Sequence, residues 1–408
     1  MWPRTKPPAE DGHEGRRASW CTLAFMDHPG PLQGLRVIEL AAIGPVPLAG
    51  MLLSDLGADV VRVDRLQPSG LGLAIDARHD VNARGRRSLA IDLKAAAGRD
   101  AVLRLAEGAD VLIEGFRPGV TEGLGLGPAD CQARNPRLVY GRMTGFGQSG
   151  PLASAAGHDI NYIALTGILD AIGPAGGAPL PPLNLVGDYG GGAMFLVFGV
   201  LAAVFERQRS GRGQVVDAAM VDGAASLASI FYGLHSSGAW GDGRGTNLLD
   251  GGAPFYACYE TSDSRWVSVG ALEPKFFAGL ATALALEPRF VARQYDRRLW
   301  PEMRAAMASA LRQRTQAEWC ARLEGSDACF APVLSFAQAP THSHAQARGG
   351  FVSVDGVTQP GAAPRFDRTP AGVPRPAPRV GEHTTEVLQE AGLGADEIAA
   401  LLASGVAK

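Results

Sequence analysis

The residue types best suited to moving a proton lie together in Gly157-His158-Asp159-Ile160-Asn161-Tyr162. This stretch sets an imidazole beside a carboxylate just after a glycine. It opens the apolar run Ile163-Ala164-Leu165-Thr166-Gly167-Ile168-Leu169, which reads as a helix. A helix start offers unpaired backbone N–H groups and the positive end of the helix dipole, both suited to holding developing negative charge. Thirty positions after His158, Val186-Gly187-Asp188-Tyr189-Gly190-Gly191-Gly192 supplies a second carboxylate at an expected strand-to-helix junction. His158 and Asp188 are expected to face each other across a carbon acid. Taken singly, each has a plainer role open to it. His158 could be a hydrogen-bonded structural histidine and Asp188 an N-cap. Glu273, followed by Pro274, reads as a helix-start residue.

The elements that must position these groups alternate along the first half of the chain. Strands are expected at Leu35–Leu40, Asp59–Val63, Ser88–Asp92, Val111–Glu114, Arg137–Thr144 and Gln214–Asp217. Helices are expected from Gly44 to Leu56, Ala95 to Glu107, Tyr189 to Arg209 and Ala219 to His235, with Gly57 and Gly108 as stops. This alternation implies a doubly wound α/β domain with a parallel sheet. Ligands then bind beyond the carboxyl ends of the strands. Arg65, Lys94 and Arg117 fall in three such strand-end loops. Each alone is an ordinary solvated charge; together they could hold a phosphorylated handle.

Gly145-Phe146-Gly147-Gln148-Ser149-Gly150 spells the GxGxxG pattern after a strand. A dinucleotide site needs a helix to open there, but Pro151 and a small-residue loop follow, so a glycine turn is the better reading. No P-loop pattern and no GxSxG elbow occurs in the sequence.

The second half shifts in composition. Ser236 to Pro254 is Gly- and Asp-rich and reads as a linker. Phe255–Tyr259 and Arg265–Val269 form an expected hairpin, followed by helices starting at Pro274 and Trp300 and by a capping box at Thr315-Gln316-Ala317-Glu318. The expected division is a large domain over 31–236, a small α+β domain over 237–335, and an extended return with terminal helices over 336–408. Residues 1–30 are expected to be a disordered extension, or to precede a true start at Met26.

The totals exclude several classes. Of 408 residues, 46% are hydrophobic and 19% charged, which rules out global disorder. A net charge of −3 gives no overall field toward nucleic acid or an anionic membrane. The longest apolar run, Ala193 to Phe205, falls short of a bilayer span and is expected to be a buried helix. The five scattered cysteines suggest neither zinc nor disulfides and fit a cytoplasmic protein. No metal is expected.

From about Gly34 to the terminal helices, the chain resembles the α-methylacyl-CoA racemases, within the family III CoA-transferase (CaiB/BaiF) superfamily. The resemblance rests on ordered blocks: "GLRVIEL", "LGADVVRVDR", "IEGFRPGVTE", "GFGQSGP", "AGHDINY", "PPLNLVGDYGGG", "GRGQVVDAAMVDG", "LLDGGAPFY" and "VGALEP". It implies a Rossmann-like large domain and a small domain, with two chains interlocked as linked rings in a homodimer. It implies 2-methylacyl-CoA thioesters as substrates, with CoA as part of the substrate and no separate cofactor. The catalytic histidine falls on His158 and the catalytic aspartate on Asp188. The glutamate that supports the histidine from the neighbouring subunit falls on Glu273. CoA contacts fall on Arg65, on Ile91, Asp92, Leu93 and Lys94, on Gly115, Phe116 and Arg117, and on Gly157, Ile160, Asn161 and Tyr162. Two departures stand out: residues 66–83 are longer than is usual, and Gly123 stands where a basic residue is often found.

What the resemblance implies chemically is inversion at the α-carbon through an enolate. Neutral His158 takes the proton on one face and protonated Asp188 returns one on the other, with roles exchanged for the opposite enantiomer. The backbone N–H of Asp159 is the expected donor to the enolate oxygen. The alternative within the superfamily is CoA transfer through an aspartyl anhydride at Asp159. A binding protein without chemistry would be expected to lack His158, Asp188 or Glu273. The acyl chain stays open, from branched fatty acids to sterol side chains and arylpropionates.

Overall fold

The computed structural model describes residues 30–67, 70 and 75–408. The expected disordered extension, apart from Gly30, lies outside the described residues, as do residues 68, 69 and 71–74 of the long 66–83 segment. Six strands form the main sheet: β1 (Arg36–Leu40), β2 (Asp59–Asp64), β3 (Arg87–Ala90), β4 (Val111–Glu114), β5 (Val139–Thr144) and β6 (Val215–Ala219). Their order is β3-β2-β1-β4-β5-β6. The pairs β1–β2, β1–β4, β2–β3 and β4–β5 are parallel, Val37 lying opposite both Val60 and Val111. This is the doubly wound order with its switch point between β1 and β4. The central strands are short Val, Ile and Leu runs because both faces are covered and no alternation is needed.

By internal contacts the chain forms two units. The first holds the described residues up to Thr144, with Leu196–Ala218 and Ala362–Lys408; the second holds Gly145–Phe195 and Ala219–Gly361. In the first unit, Ile38, Leu40, Val61, Val63 and Leu112 of the sheet share one core with Val102 and Leu105 of the helix Ala96–Glu107. Val387, Leu388, Ile398 and Leu401 of the terminal helices join it. Glu39 of β1 and Arg86 form a fully buried ion pair at 2.6 Å. Arg86 also donates to the carbonyls of Asn82 and Pro47, tying three segments to one guanidinium.

The second unit carries a three-stranded antiparallel sheet of β7 (Tyr256–Glu260), β8 (Trp266–Gly270) and β9 (Phe330–Pro332). The hairpin was expected; β9, only three residues long, was not. Its core is aromatic, with Phe255 set 5.5 Å from Phe277 and 5.8 Å from Trp300. The Thr315 capping box forms, Thr315 N–H donating to Glu318 Oε2 at 2.8 Å.

Three expectations need correction. The contact division does not fall near residue 236: residues 145–195 and 219–236 group with the stretch to 361. Tyr232 OH donates to the Thr166 carbonyl at 2.9 Å and Arg244 pairs with Asp170 at 2.9 Å, contacts that no composition shift reveals. The return segment is not merely extended. It holds a hairpin of β10 (Phe351–Val354) and β11 (Val357–Pro360), turned at Asp355-Gly356 with both residues at positive φ. Finally, the helical stretch Leu185–Ser210 is 26 residues long, with a mean hydropathy of 1.6 in its most apolar window. By length and composition it could cross a bilayer, which the shorter run from Ala193 to Phe205 could not. It is buried on one face only, not throughout as expected: Leu196 and Val200 press on Gly141 of β5, where an added Cβ would meet them at 2.9 and 3.0 Å, while Phe198 and Phe205 are exposed.

Candidate active site

The second unit brings His158, Asp159 and Asp188 together. The loop before them is held by Tyr162. Its ring lies where a Cβ on Gly145 would stand, 2.1 Å from Cε1, and meets Phe146 edge-on at 4.9 Å. The Tyr162 hydroxyl donates to the Gly157 carbonyl. The glycine pattern Gly145–Gly150 therefore serves as a turn under an aromatic ring, and no helix opens there.

His158 is the N-cap of the helix Asp159–Ala164. Its N–H donates to Asn161 Oδ1 at 3.0 Å, and its carbonyl accepts from the N–H groups of Asn161 and Tyr162. These bonds use only the backbone, so the exposed imidazole is left to act. No bond to the N–H of Asp159 or Ile160 is found among the described residues, as the first turn of a helix requires. Ile160 and Asn161 are exposed; Tyr162 is buried.

Asp188 departs from expectation. It is neither an N-cap nor at a strand-to-helix junction: it lies inside a π-helix, Leu185–Ala193, that runs on into the α-helix Met194–Ser210. Wide i→i+5 turns are rare and recur at functional sites. The turn is closely packed. Gly191 and Gly223 let this turn meet the helix Met220–Leu227 backbone to backbone, and a Cβ on Gly223 would lie 1.9 Å from the Gly191 carbonyl oxygen. Just before the turn, Leu183 sits in the left-handed region at φ 57, a conformation costing an L-residue roughly 1–2 kcal/mol. Gly223→Ala is expected to destabilise the protein by about 3 kcal/mol, the upper end of overpacking costs. Both clashing partners are backbone and cannot rotate away. A lowered melting temperature checks this, and an unchanged one would refute the close approach.

The Asp188 carboxyl is half-buried. Burial raises its pKa above the ordinary carboxylate range; Asn184 lowers it, the Asp159 charge raises it, and His158 lowers it. Asn184 donates to Asp188 Oδ2 at 3.2 Å. Sequence reading missed Asn184, although an amide four residues before an acid in a helical stretch is a readable signal.

Glu273 is exposed at the N-cap of the helix Pro274–Ala283. No bond from it to His158 is found among the described residues of this one chain.

In the first unit, the remaining candidates occupy three strand-end loops. Arg65 follows β2 and lies 5.8 Å from the Phe116 ring centroid. Ile91 is buried and bridges to Ala407; Asp92 Oδ1 accepts from the Lys94 N–H at 2.9 Å, turning the loop that carries Leu93. Gly115, Phe116 and Arg117 follow β4, where Glu114 Oε2 accepts the Phe116 N–H at 2.6 Å. Glu114 is a loop organiser that sequence reading missed. Burial pushes its carboxyl up to about 7, against the pull of the Phe116 N–H and of Arg142 at 3.1 Å. Arg65, Lys94 and Arg117 are exposed, and no carboxylate partner for them is found among the described residues. Gly123 has open space around it. Among the described residues, no group of three or more His, Cys, Asp and Glu side chains is placed to hold a metal ion.

The first unit carries a doubly wound sheet with cationic strand-end loops, and the second a His-Asp helix start beside a half-buried carboxyl. The chain belongs to CoA-transferase family III, which it matches over residues 32–384. It is 48% identical over 371 residues to the alpha-methylacyl-CoA racemase of Mus musculus, covering 90% of this chain and 95% of that one. To the Homo sapiens alpha-methylacyl-CoA racemase it is 45% identical over 372 residues, with the same coverage. The crystal structure of a CAIB/BAIF family protein from Brucella suis matches with a TM-score of 0.76 at 26% identity, covering 89% of this chain and all of that one.

Proposed function

We propose that the protein interconverts the (2R) and (2S) forms of 2-methylacyl-CoA thioesters by transferring the α-proton between two faces. The observation that carries this reading is the Asp188 carboxyl, half-buried, with its pKa raised by that burial and within electrostatic reach of His158. The α-hydrogen of a thioester is weakly acidic. Inversion needs a base on one face and an acid on the other. Neutral His158 removes the proton of one enantiomer, and protonated Asp188 delivers one to the opposite face. For the other enantiomer, ionised Asp188 is the base and the imidazolium the acid. A carboxyl with an ordinary pKa would be almost wholly ionised near neutrality and a poor donor. The enolate oxygen accepts from the N–H of Asp159, where the helix start favours negative charge.

The CoA phosphates are taken by Arg65, Lys94 and Arg117, charge meeting charge at the carboxyl edge of the sheet. CoA belongs to the substrate, and the reaction uses no separate cofactor. The working form is a homodimer. Exposed Glu273 would orient the imidazole of a neighbouring chain, and large apolar side chains such as Phe198 and Ile230, 73% and 62% exposed, would be covered.

The test is one incubation in D₂O with a single enantiomer of a 2-methylacyl-CoA and a free carboxylic acid as possible acceptor. α-Deuterium incorporation and configuration are followed by NMR, and acyl exchange by mass spectrometry. Deuterium wash-in with racemisation and no acyl exchange is expected. Acyl exchange without wash-in would make the protein a transferase with Asp159 as nucleophile.

A further inference from the structure

Asp159 is 6% exposed, although it follows an exposed histidine. Its Oδ1 accepts the Asp188 backbone N–H at 2.6 Å. Gly187 is pressed on the same oxygen: a Cβ there would lie 2.5 Å from Oδ1 and 2.9 Å from Cγ. The other oxygen, Oδ2, is buried and has no hydrogen-bond partner among the described residues. In the π-helix the first i→i+5 bond runs from the Tyr189 N–H to the Asn184 carbonyl. The Asp188 N–H, one residue earlier, thus has no partner within its own turn, and the Asp159 carboxylate supplies one.

We propose that Asp159 is a positioning residue: its side chain caps the π-helical turn and thereby sets where the Asp188 carboxyl stands, rather than attacking the thioester. This rests on the racemase reading above. A carboxylate nucleophile needs an oxygen free to approach the carbonyl carbon. Here one oxygen is committed and covered, and the other is enclosed. The same contact places a carboxylate charge against Asp188, so Asp159 also bears on the protonation of that acid. The other groups facing Asp188 are His158 and Asn184. Its neighbour Tyr189 is half-buried, Tyr162 on the helix Asp159–Ala164 is buried, and Asp222 on the helix Met220–Leu227 is exposed.

The test compares Asp159→Asn with Asp159→Ala, both checked for an unchanged circular dichroism spectrum. The readouts are kcat and KM for deuterium wash-in across pH, in the direction that uses protonated Asp188. Asparagine keeps an oxygen for the Asp188 N–H but loses the charge. It is expected to lower kcat by less than about tenfold and to move the limb of the profile that Asp188 governs to lower pH. The sign follows because removing a neighbouring negative charge lowers the Asp188 pKa, so the needed proton is lost earlier. Alanine removes the cap and is expected to lower kcat by about 10²-fold, as a misplacement near 1 Å does, with KM little changed. Equal loss in both variants, or a profile in the asparagine variant with neither limb moved, would overturn the proposal. Hydroxylamine trapping of an acyl group on Asp159 of the wild type would do so as well. Failure of the wild type to wash in deuterium would instead count against the racemase reading itself.

Discussion

His158→Ala is expected to lower racemisation of both enantiomers by about 10²–10⁴-fold. The loss should have a particular asymmetry. With His158 gone, Asp188 can still exchange the α-proton of the one enantiomer that presents it to that face. Deuterium would then enter without inversion. Asp188→Asn should give the mirror image, with wash-in confined to the other enantiomer. The reason is geometric: each base reaches one face of a trigonal enolate, and inversion needs both. Neither change should unfold the protein. His158 is exposed and fixes its helix start through backbone atoms, while asparagine matches aspartate in shape. Chiral analysis and deuterium NMR on separate enantiomers provide the measurement. Equal residual wash-in from both enantiomers in either variant would rule out two bases on opposite faces.

The second large effect concerns stability. Glu39→Ala is expected to destabilise the first unit by about 3–5 kcal/mol, because it leaves Arg86 charged and enclosed without its partner. Both side chains are 0% exposed, and burial opposes the charge on each: it raises the Glu39 pKa and lowers that of Arg86. The lost Coulomb attraction is only part of the penalty; the rest is the cost of a guanidinium that water cannot reach. A double replacement, Glu39→Met with Arg86→Met, should therefore recover much of the loss, since no charge then remains to be solvated. Urea unfolding of the two variants decides between these outcomes. A single variant within about 1 kcal/mol of the wild type would show that the pair is not what holds these segments.

Local signals suffice where local physics dominates. Val111–Glu114 is legible to the residue, and the other five sheet strands within a few residues, because short runs rich in apolar residues between helical patterns have few other solutions. His158 was placed correctly as the residue before a helix. The hairpin at Asp355-Gly356 was readable too, from its turn pair, but a Pro- and Arg-rich surrounding hid it. The three-residue strand β9 carries no periodicity to detect.

By itself, the sequence determined the alternating α/β order, the strand-end positions of the basic loops and the pairing of imidazole with carboxylate at one helix start. All of these follow from nearest-neighbour geometry along the chain. Only the tertiary structure decided that Asp188 sits within a π-helical turn, that the Asp159 carboxylate caps it, and that Glu114 shapes the loop of Phe116. The first two depend on close approaches between segments far apart in sequence, Gly191 against Gly223 and Gly187 against the Asp159 carboxylate. A glycine's identity records that something comes close. What comes close is set by the packing of elements that the chain order alone does not specify.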